Sequence, residues 1–269
     1  MIGLFDSGVG GLSVLRAVRA RLPAQPMIYL GDQAHVPYGP RPLEEVRCFS
    51  EAITRYLLSQ GAQVIVVACN TASAAALHGL RKQFPQVPFV GMEPAVKPAA
   101  ESTHSGVVGV LATPATFQGE LYASVVERFA RDVTLLQDTC PGLVSQIEAG
   151  DLDGPRTRAI LETALAPMLA SGMDTVVMGC THYPFVIPLI EQITGPGVRV
   201  IDPAPAIARQ VERVLDAHGL LAAVPQATPL LRCLTTAQQQ PFQDLIRRLL
   251  ANNSQPDSVE VVHWQGKRI

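Results

Sequence analysis

The chain has 269 residues, a formal net charge of −2 and a hydrophobic content of 48%. That is enough apolar material for a large core, which excludes disorder, and a near-neutral chain without a basic run gives nucleic acid no footprint. No apolar stretch reaches the roughly 20 residues that span a bilayer, and the opening MIGLFDSGVGG lacks the basic start of a signal peptide, so a cytoplasmic protein is expected.

Short apolar runs recur along the chain, at residues 2–5, 27–30, 64–68, 89–92, 107–112, 133–136, 175–178 and 198–201. They are continuous rather than alternating, as parallel strands buried on both faces are. Helical patterns lie between them. Leu43, Val46, Phe49, Ile53 and Leu57 share one face. So do Phe117, Leu121, Val125 and Phe129, and so do Ile160, Ala164, Leu165, Met168 and Leu169. Strands alternating with helices predict βαβ units and mostly parallel sheets. Gly8-Val9-Gly10-Gly11 follows the first strand and predicts a tight strand-to-helix turn. It is not GxGxxG, and no GxxxxGK[ST] exists, so a nucleotide site has little support.

The strands repeat. IGLFDS (2–7) matches VGVLAT (108–113), the run into Asn70 matches the run into Thr181, and FVGMEPAV (89–96) matches VRVIDPAP (198–205). The offsets are 106, 111 and 109, which predicts one duplicated α/β unit, with crossing points near 93–102 and 202–208. The remainder, 209–269, is too short for a domain of its own and must pack on one half. In open α/β sheets, ligands bind outside the carboxyl ends of the strands. Asp6-Ser7, Asp32, Cys69-Asn70-Thr71, Glu93, Thr113, Cys180-Thr181-His182 and Asp202 stand at those ends.

Two corners carry chemistry. In VIVVACNTASAAAL a β-branched run ends at Cys69, and a helix is predicted from Asn70. In TVVMGCTHYP a similar run ends at Cys180, with Pro184 where a first helical turn accepts proline. If the halves face each other, both cysteines line one cleft. One thiolate can then take a proton from a carbon acid while the other thiol returns one on the opposite face, which inverts a stereocentre. A free thiol titrates near ~8.5, and a helix start lowers that. Asp6 and His182 are candidate proton-handling partners. Ser7, Asn70, Thr71 and Thr181 can hold a substrate carboxylate with hydroxyls and backbone N–H groups.

The other cysteines read differently. Cys48 and Cys233 are expected to be buried small hydrophobes, and Cys140, before Pro141-Gly142, a loop or helix-start residue. The odd count of five and the missing CxxC argue against disulfides and a zinc ribbon. A zinc site on Cys69, Cys180, His182 and Asp6 lacks any local chelating spacing. A cysteine hydrolase with His182 as base leaves one corner unexplained. Pyridoxal phosphate needs a Schiff-base lysine, and Lys82, Lys97 and Lys267 lie in no motif. No metal and no cofactor are therefore expected. A non-enzymatic amino-acid-binding protein is the remaining alternative.

DSGVGGLSV (6–14), VPYG (36–39), ACNTASA (68–74) and GCTHYP (179–184) together resemble the glutamate racemases of the aspartate/glutamate racemase family. The resemblance covers nearly the whole chain. It implies two similar α/β domains related by a pseudo-two-fold, residues 1–95 with 205–269 and residues 96–204, with the active site in the cleft between them. It implies cofactor-independent interconversion of L- and D-glutamate, which supplies peptidoglycan synthesis. Cys69 and Cys180 become the acid–base pair. Asp6 supports the Cys69 side, and His182 supports the Cys180 side together with Glu148. Ser7, Tyr38, Gly39, Asn70, Thr71, Thr181 and His182 become substrate contacts. Aspartate racemases share the two cysteines, but an acidic residue is expected there after Cys-Thr, where this chain has His182. His35 stands where the family carries arginine, and Ala112 where it often carries glycine. A homodimer is one assembly the chain allows.

Overall fold

The computed structural model describes residues 1–222, 230–250 and 255–269. The first part of the chain runs β1 (Ile2–Asp6), α1 (Leu12–Arg21), β2 (Met27–Gly31), α2 (Leu43–Ser59), β3 (Val64–Val67), α3 (Asn70–Gln83) and β4 (Phe89–Gly91). The middle part runs α4 (Val96–Ser102), β5 (Val107–Ala112), α5 (Pro114–Gln118), α6 (Glu120–Phe129), β6 (Thr134–Asp138), α7 (Leu143–Glu148), α8 (Pro155–Ala170) and β7 (Thr175–Gly179). A 3-10 turn (Tyr183–Val186), α9 (Ile187–Thr194), β8 (Arg199–Ile201), α10 (Ala204–Ala217), β9 (Leu231–Thr235), α11 (Gln239–Leu249) and β10 (Ser258–Val261) complete it. Among the described residues, no helix is long and apolar enough to cross a membrane.

Among the described residues the named strands pair in parallel and form two sheets, ordered β10-β9-β2-β1-β3-β4 and β6-β5-β7-β8. The order β2-β1-β3-β4 in one sheet is the order β6-β5-β7-β8 in the other. The register continues the repeat: Ile2 pairs with Met27 as Val108 pairs with Leu135. The duplication read from three strand pairs thus extends to a fourth, β2 with β6. Residues of β1, β2, β3 and β7 are buried along their whole length, which is why those strands read as unbroken apolar runs.

Helices cover both faces of the larger sheet. α2 and α3 pack together on one side, and α1 packs on α10 on the other, where Arg21 pairs with Glu212. α4 packs against β5, β7 and α6. The returning tail adds β9 beside β2 and β10 at the edge, so it joins the first sheet.

Several expectations need correction. The stripe from Phe117 to Phe129 is two helices, because Gly119 is extended (φ −74°, ψ 139°) and Thr113 caps a separate short helix. A Cβ at Gly119 would lie 2.7 Å from that of Ala74, so the break lets the chain approach α3 closely. Cys48 is exposed rather than buried. It lies about 200° around α2 from Val46 and so off the apolar face. Cys233 is buried as expected. Cys140 is buried ahead of α7 with a left-handed backbone (φ 43°).

Candidate active site

The two cysteines come together. Both line one narrow cavity of about 20 Å³, with Ser7, Tyr38, Gly39, Asn70, Thr71, Thr181 and His182. Pro37, Thr113 and Val144 complete the wall. The space holds about one water molecule. A more open cavity of about 260 Å³ adjoins it across Pro37, Gly39, Thr113 and Val144. Among the described residues, no lysine or arginine lines the inner space.

Cys69 caps α3. Its backbone is extended (φ −139°, ψ 124°), and its sulfur accepts the Ala72 N–H at 3.4 Å. The expected lowering of its pKa by the helix start is overturned. Burial, and after it the charge of Asp6, push the Cys69 thiol well above its ordinary value, and the N–H groups of Ala72 and Ser7 only moderate this. Cys69 is therefore a thiol at neutral pH.

Cys180 sits in a different corner. It follows β7 but caps no α-helix. Pro184 lies in the 3-10 turn, and α9 begins only at Ile187. Its neighbour is an ion pair rather than a helix end. His182 Nδ1 lies 3.8 Å from the Cys180 sulfur, and His182 Nε2 lies 2.6 Å from Glu148 Oε1. Burial opposes charge on His182, but the Cys180 sulfur and the Glu148 carboxylate outweigh it, and its pKa stands well above the ordinary value. Burial also works against an ionised Glu148. The His182 ring, the Val9 N–H and the Gln33 amide outweigh it and lower its pKa. The pair is an imidazolium and a carboxylate, and the cation faces the Cys180 sulfur. Both ring nitrogens then donate.

Glu148 ends α7 and stands behind the cavity wall. Its Oε1 also accepts the Val9 N–H at 2.7 Å, and its Oε2 accepts Gln33 Nε2 at 3.0 Å. The glycine turn makes this approach possible. A Cβ on Gly8 would lie 1.9 Å from Glu148 Oε1, and one on Gly10 would lie 2.3 Å from His182 Nδ1. The Gly8–Gly11 stretch is thus the strand-to-helix turn expected, and it also seats the ion pair.

Asp6 also lies behind the wall. It accepts the Gly8 N–H at 2.8 Å, Ser7 Oγ at 3.2 Å and Thr181 Oγ1 at 2.8 Å. Burial raises its pKa, partly offset by His182 and by the Gly8 and Thr181 donors. Asp6, expected on the Cys69 side, acts on Cys69 through its charge and also bonds Thr181 beside Cys180. Ser13 Oγ donates to the Thr181 carbonyl at 2.9 Å, so α1 holds the same loop.

Across the cavity, Thr71 and Thr113 share a hydrogen bond at 2.9 Å, which joins the mouths of β3 and β5. Thr113 stood at a strand end in the sequence, but nothing there marked it as a wall residue. Gly39 approaches Thr113 so closely that a Cβ would lie 2.9 Å from its Cβ. Tyr38 turns its hydroxyl away to Asp32 Oδ2, at 2.6 Å, and contributes its ring. Asn70 is the opposite case. It is buried, and neither amide atom finds a partner among the described residues. His35, the departure from arginine, also bonds to Asp32 and stacks on Phe49. Among the described residues, no three His, Cys, Asp or Glu side chains converge to hold a metal ion.

Known proteins match the chain over nearly its whole length. A glutamate racemase of Pseudomonas aeruginosa is 52% identical over 258 residues, 96% of either chain. The crystal structure of glutamate racemase isoform RacE1 from Bacillus anthracis superposes with a TM-score of 0.87 at 30% identity, covering 100% of this chain and 98% of that one. The Escherichia coli glutamate racemase, solved with L-glutamate and the activator UDP-MurNAc-ala, gives 0.85 at 31% identity, covering 98% and 99%. The profile of the Asp/Glu/hydantoin racemases matches residues 12–211. With its doubled parallel sheet and its facing pair of cysteine corners, the chain belongs to the Asp/Glu/hydantoin racemase family.

Proposed function

We propose that this protein interconverts L- and D-glutamate by moving the α-proton between two cysteines, and that it supplies D-glutamate to peptidoglycan in the cytoplasm. The observation that carries the reading is that Cys69 and Cys180 line one cavity from the ends of corresponding strands, β3 and β7. A relative half-identical over nearly its full length and named glutamate racemase supports the substrate.

The two corners differ in charge, and this sets the order of the steps. Cys69 holds its proton, and the imidazolium of His182 stands against the Cys180 sulfur, where it balances the negative charge that a proton-abstracting sulfur carries. An enantiomer whose α-hydrogen faces Cys180 gives up that proton to it. The carbanion is then protonated from the opposite face by the Cys69 thiol, and the configuration inverts. The reverse reaction starts from the opposite pair of protonation states. The substrate carboxylates meet neutral donors, namely the N–H groups of the first turn of α3, the Thr71 hydroxyl, and the Ser7 and Thr181 hydroxyls once these turn from the Asp6 carboxylate they bond in the empty site. The unpaired amide of Asn70 fits such a ligand, because a buried polar group without a partner is costly. The inner space is narrower than glutamate, so the walls part toward the adjoining cavity when substrate enters.

We also take residues 1–95 with 205–269 as one unit and 96–204 as the other. The packing of α10 on α1 and of β9 on β2 supports this division.

Circular dichroism of L-glutamate mixed with the purified protein tests the reading. The signal should decay to zero without added pyridoxal phosphate and in the presence of a chelator. A stable signal, with the ligand only raising the melting temperature, would mean an amino-acid-binding protein instead.

A further inference from the structure

The hydrogen bonds behind the cavity continue beyond the ion pair. Glu148 Oε1 is held twice, by Val9 and His182, but Oε2 is held by the Gln33 amide. Gln33 lies in the loop after β2 and does not line the cavity. The far end of its amide is also occupied, because Oε1 accepts Thr235 Oγ1 at 3.0 Å. Chemistry fixes the orientation. A carboxylate only accepts, so the amide NH2 must face Glu148. Thr235 Oγ1 already accepts the Ala237 N–H at 3.1 Å, so its own hydrogen is the one given to Gln33. Thr235 ends β9, in the returning tail. A single file of hydrogen bonds therefore runs from the tail to the catalytic sulfur: Thr235, Gln33, Glu148, His182, Cys180.

We infer that Gln33 is a positioning residue for the Cys180 half of the site, its amide pinning the Glu148 carboxylate against His182 from an anchor at the end of β9. Without that pin, the Glu148 carboxylate can turn about its last torsion, and its bond to His182 loosens. The titratable groups facing Glu148 are His182, Asp6 and Tyr29, and none of them donates to Oε2. The inference rests on the racemisation proposed above.

The test uses the full chain with Gln33→Met, Gln33→Glu and Thr235→Val, and follows glutamate racemisation against pH. Gln33→Met keeps the shape and removes the donor. It should lower kcat about tenfold, the usual worth of one charge-assisted hydrogen bond, and leave KM within about twofold because Gln33 stands off the cavity. The acidic limb of kcat/KM should move to higher pH, since the lost donor stabilised ionised Glu148, and the alkaline limb to lower pH as the imidazolium loses its partner. Gln33→Glu should move the acidic limb further, by about one pH unit, because two carboxylates then share one site. Thr235→Val should give the same shift in milder form. Unmoved pH limbs in both Gln33 variants, or a loss carried by KM alone, would overturn the inference. An unaltered protein that does not racemise glutamate would instead overturn the parent reading.

Discussion

Replacing Gly10 with alanine should disable the Cys180 side while leaving the protein folded. The new Cβ would lie 2.3 Å from His182 Nδ1, 2.7 Å from its Cε1 and 2.8 Å from Thr181 Oγ1, where ordinary contact begins at 3.4 Å. The imidazole must retreat by about 1 Å. It is buried and tied to Glu148 at 2.6 Å, so the retreat pulls on the ion pair as well. Gly10 has no positive φ, so the backbone accepts alanine and the contact alone decides. Overpacking of this kind costs about 1–3 kcal/mol, within the ~5–15 kcal/mol by which domains are stable. A misplacement of ~1 Å at a catalytic group costs on the order of 100-fold in rate. Melting curves and circular dichroism of L-glutamate would be compared for the two proteins. A folded Gly10→Ala protein that keeps half of the unaltered kcat/KM would refute the claim that His182 must stand against the Cys180 sulfur.

Other substitutions separate stability from activity. Gly79 lies inside α3 with nothing within 4 Å of its missing Cβ, so Gly79→Ala should stabilise by about 0.4–1 kcal/mol and leave racemisation unchanged, as read by melting and rate. Asn70→Ala should raise KM for glutamate yet cost the free protein little stability, because its amide is unpaired in the empty site. An unchanged KM would remove Asn70 from the substrate contacts. The ion pair predicts a pH window. The raised pKa of His182 gives stability that is complete below its unfolded value near ~6.5 and is lost as pH rises through its folded value. The lowered pKa of Glu148 gives stability that is complete above its unfolded value near ~4.3 and is lost as pH falls through its folded value. The melting-temperature gap between the unaltered protein and Glu148→Gln should therefore be widest between those two values. A gap that is flat with pH would show that the pair is not charged.

The sheets were legible because parallel strands buried on both faces keep unbroken apolar runs, and because the chain repeats them. β9 and β10 escaped for the opposite reason. β9 carries Arg232 among its apolar residues, and that charge is met by Glu260 of the edge strand β10 at 2.8 Å. An edge pair balanced by its own charges looks like a polar tail. The two cysteines were legible from their matched corners, but the protonation of Cys69 was not. Helix geometry alone lowers the pKa of Cys69, and only the structure shows that burial and Asp6 reverse this. Glu148 was found by resemblance, since nothing in VSQIEAGDL shows that α7 ends behind His182. Gln33 left no trace, and Thr113 was marked only as a strand end, because the contacts that place both are long-range hydrogen bonds. Those bonds reach partners 115 and 42 residues away.

The central claim is that each sulfur serves one face of the same α-carbon. It is tested most directly by nuclear magnetic resonance of glutamate incubated in heavy water with the unaltered protein, Cys69→Ser and Cys180→Ser. The unaltered protein should deliver product carrying deuterium at the α-carbon, and neither serine variant should interconvert the enantiomers. Product that keeps its original α-hydrogen, or full conversion by either variant, would contradict the account.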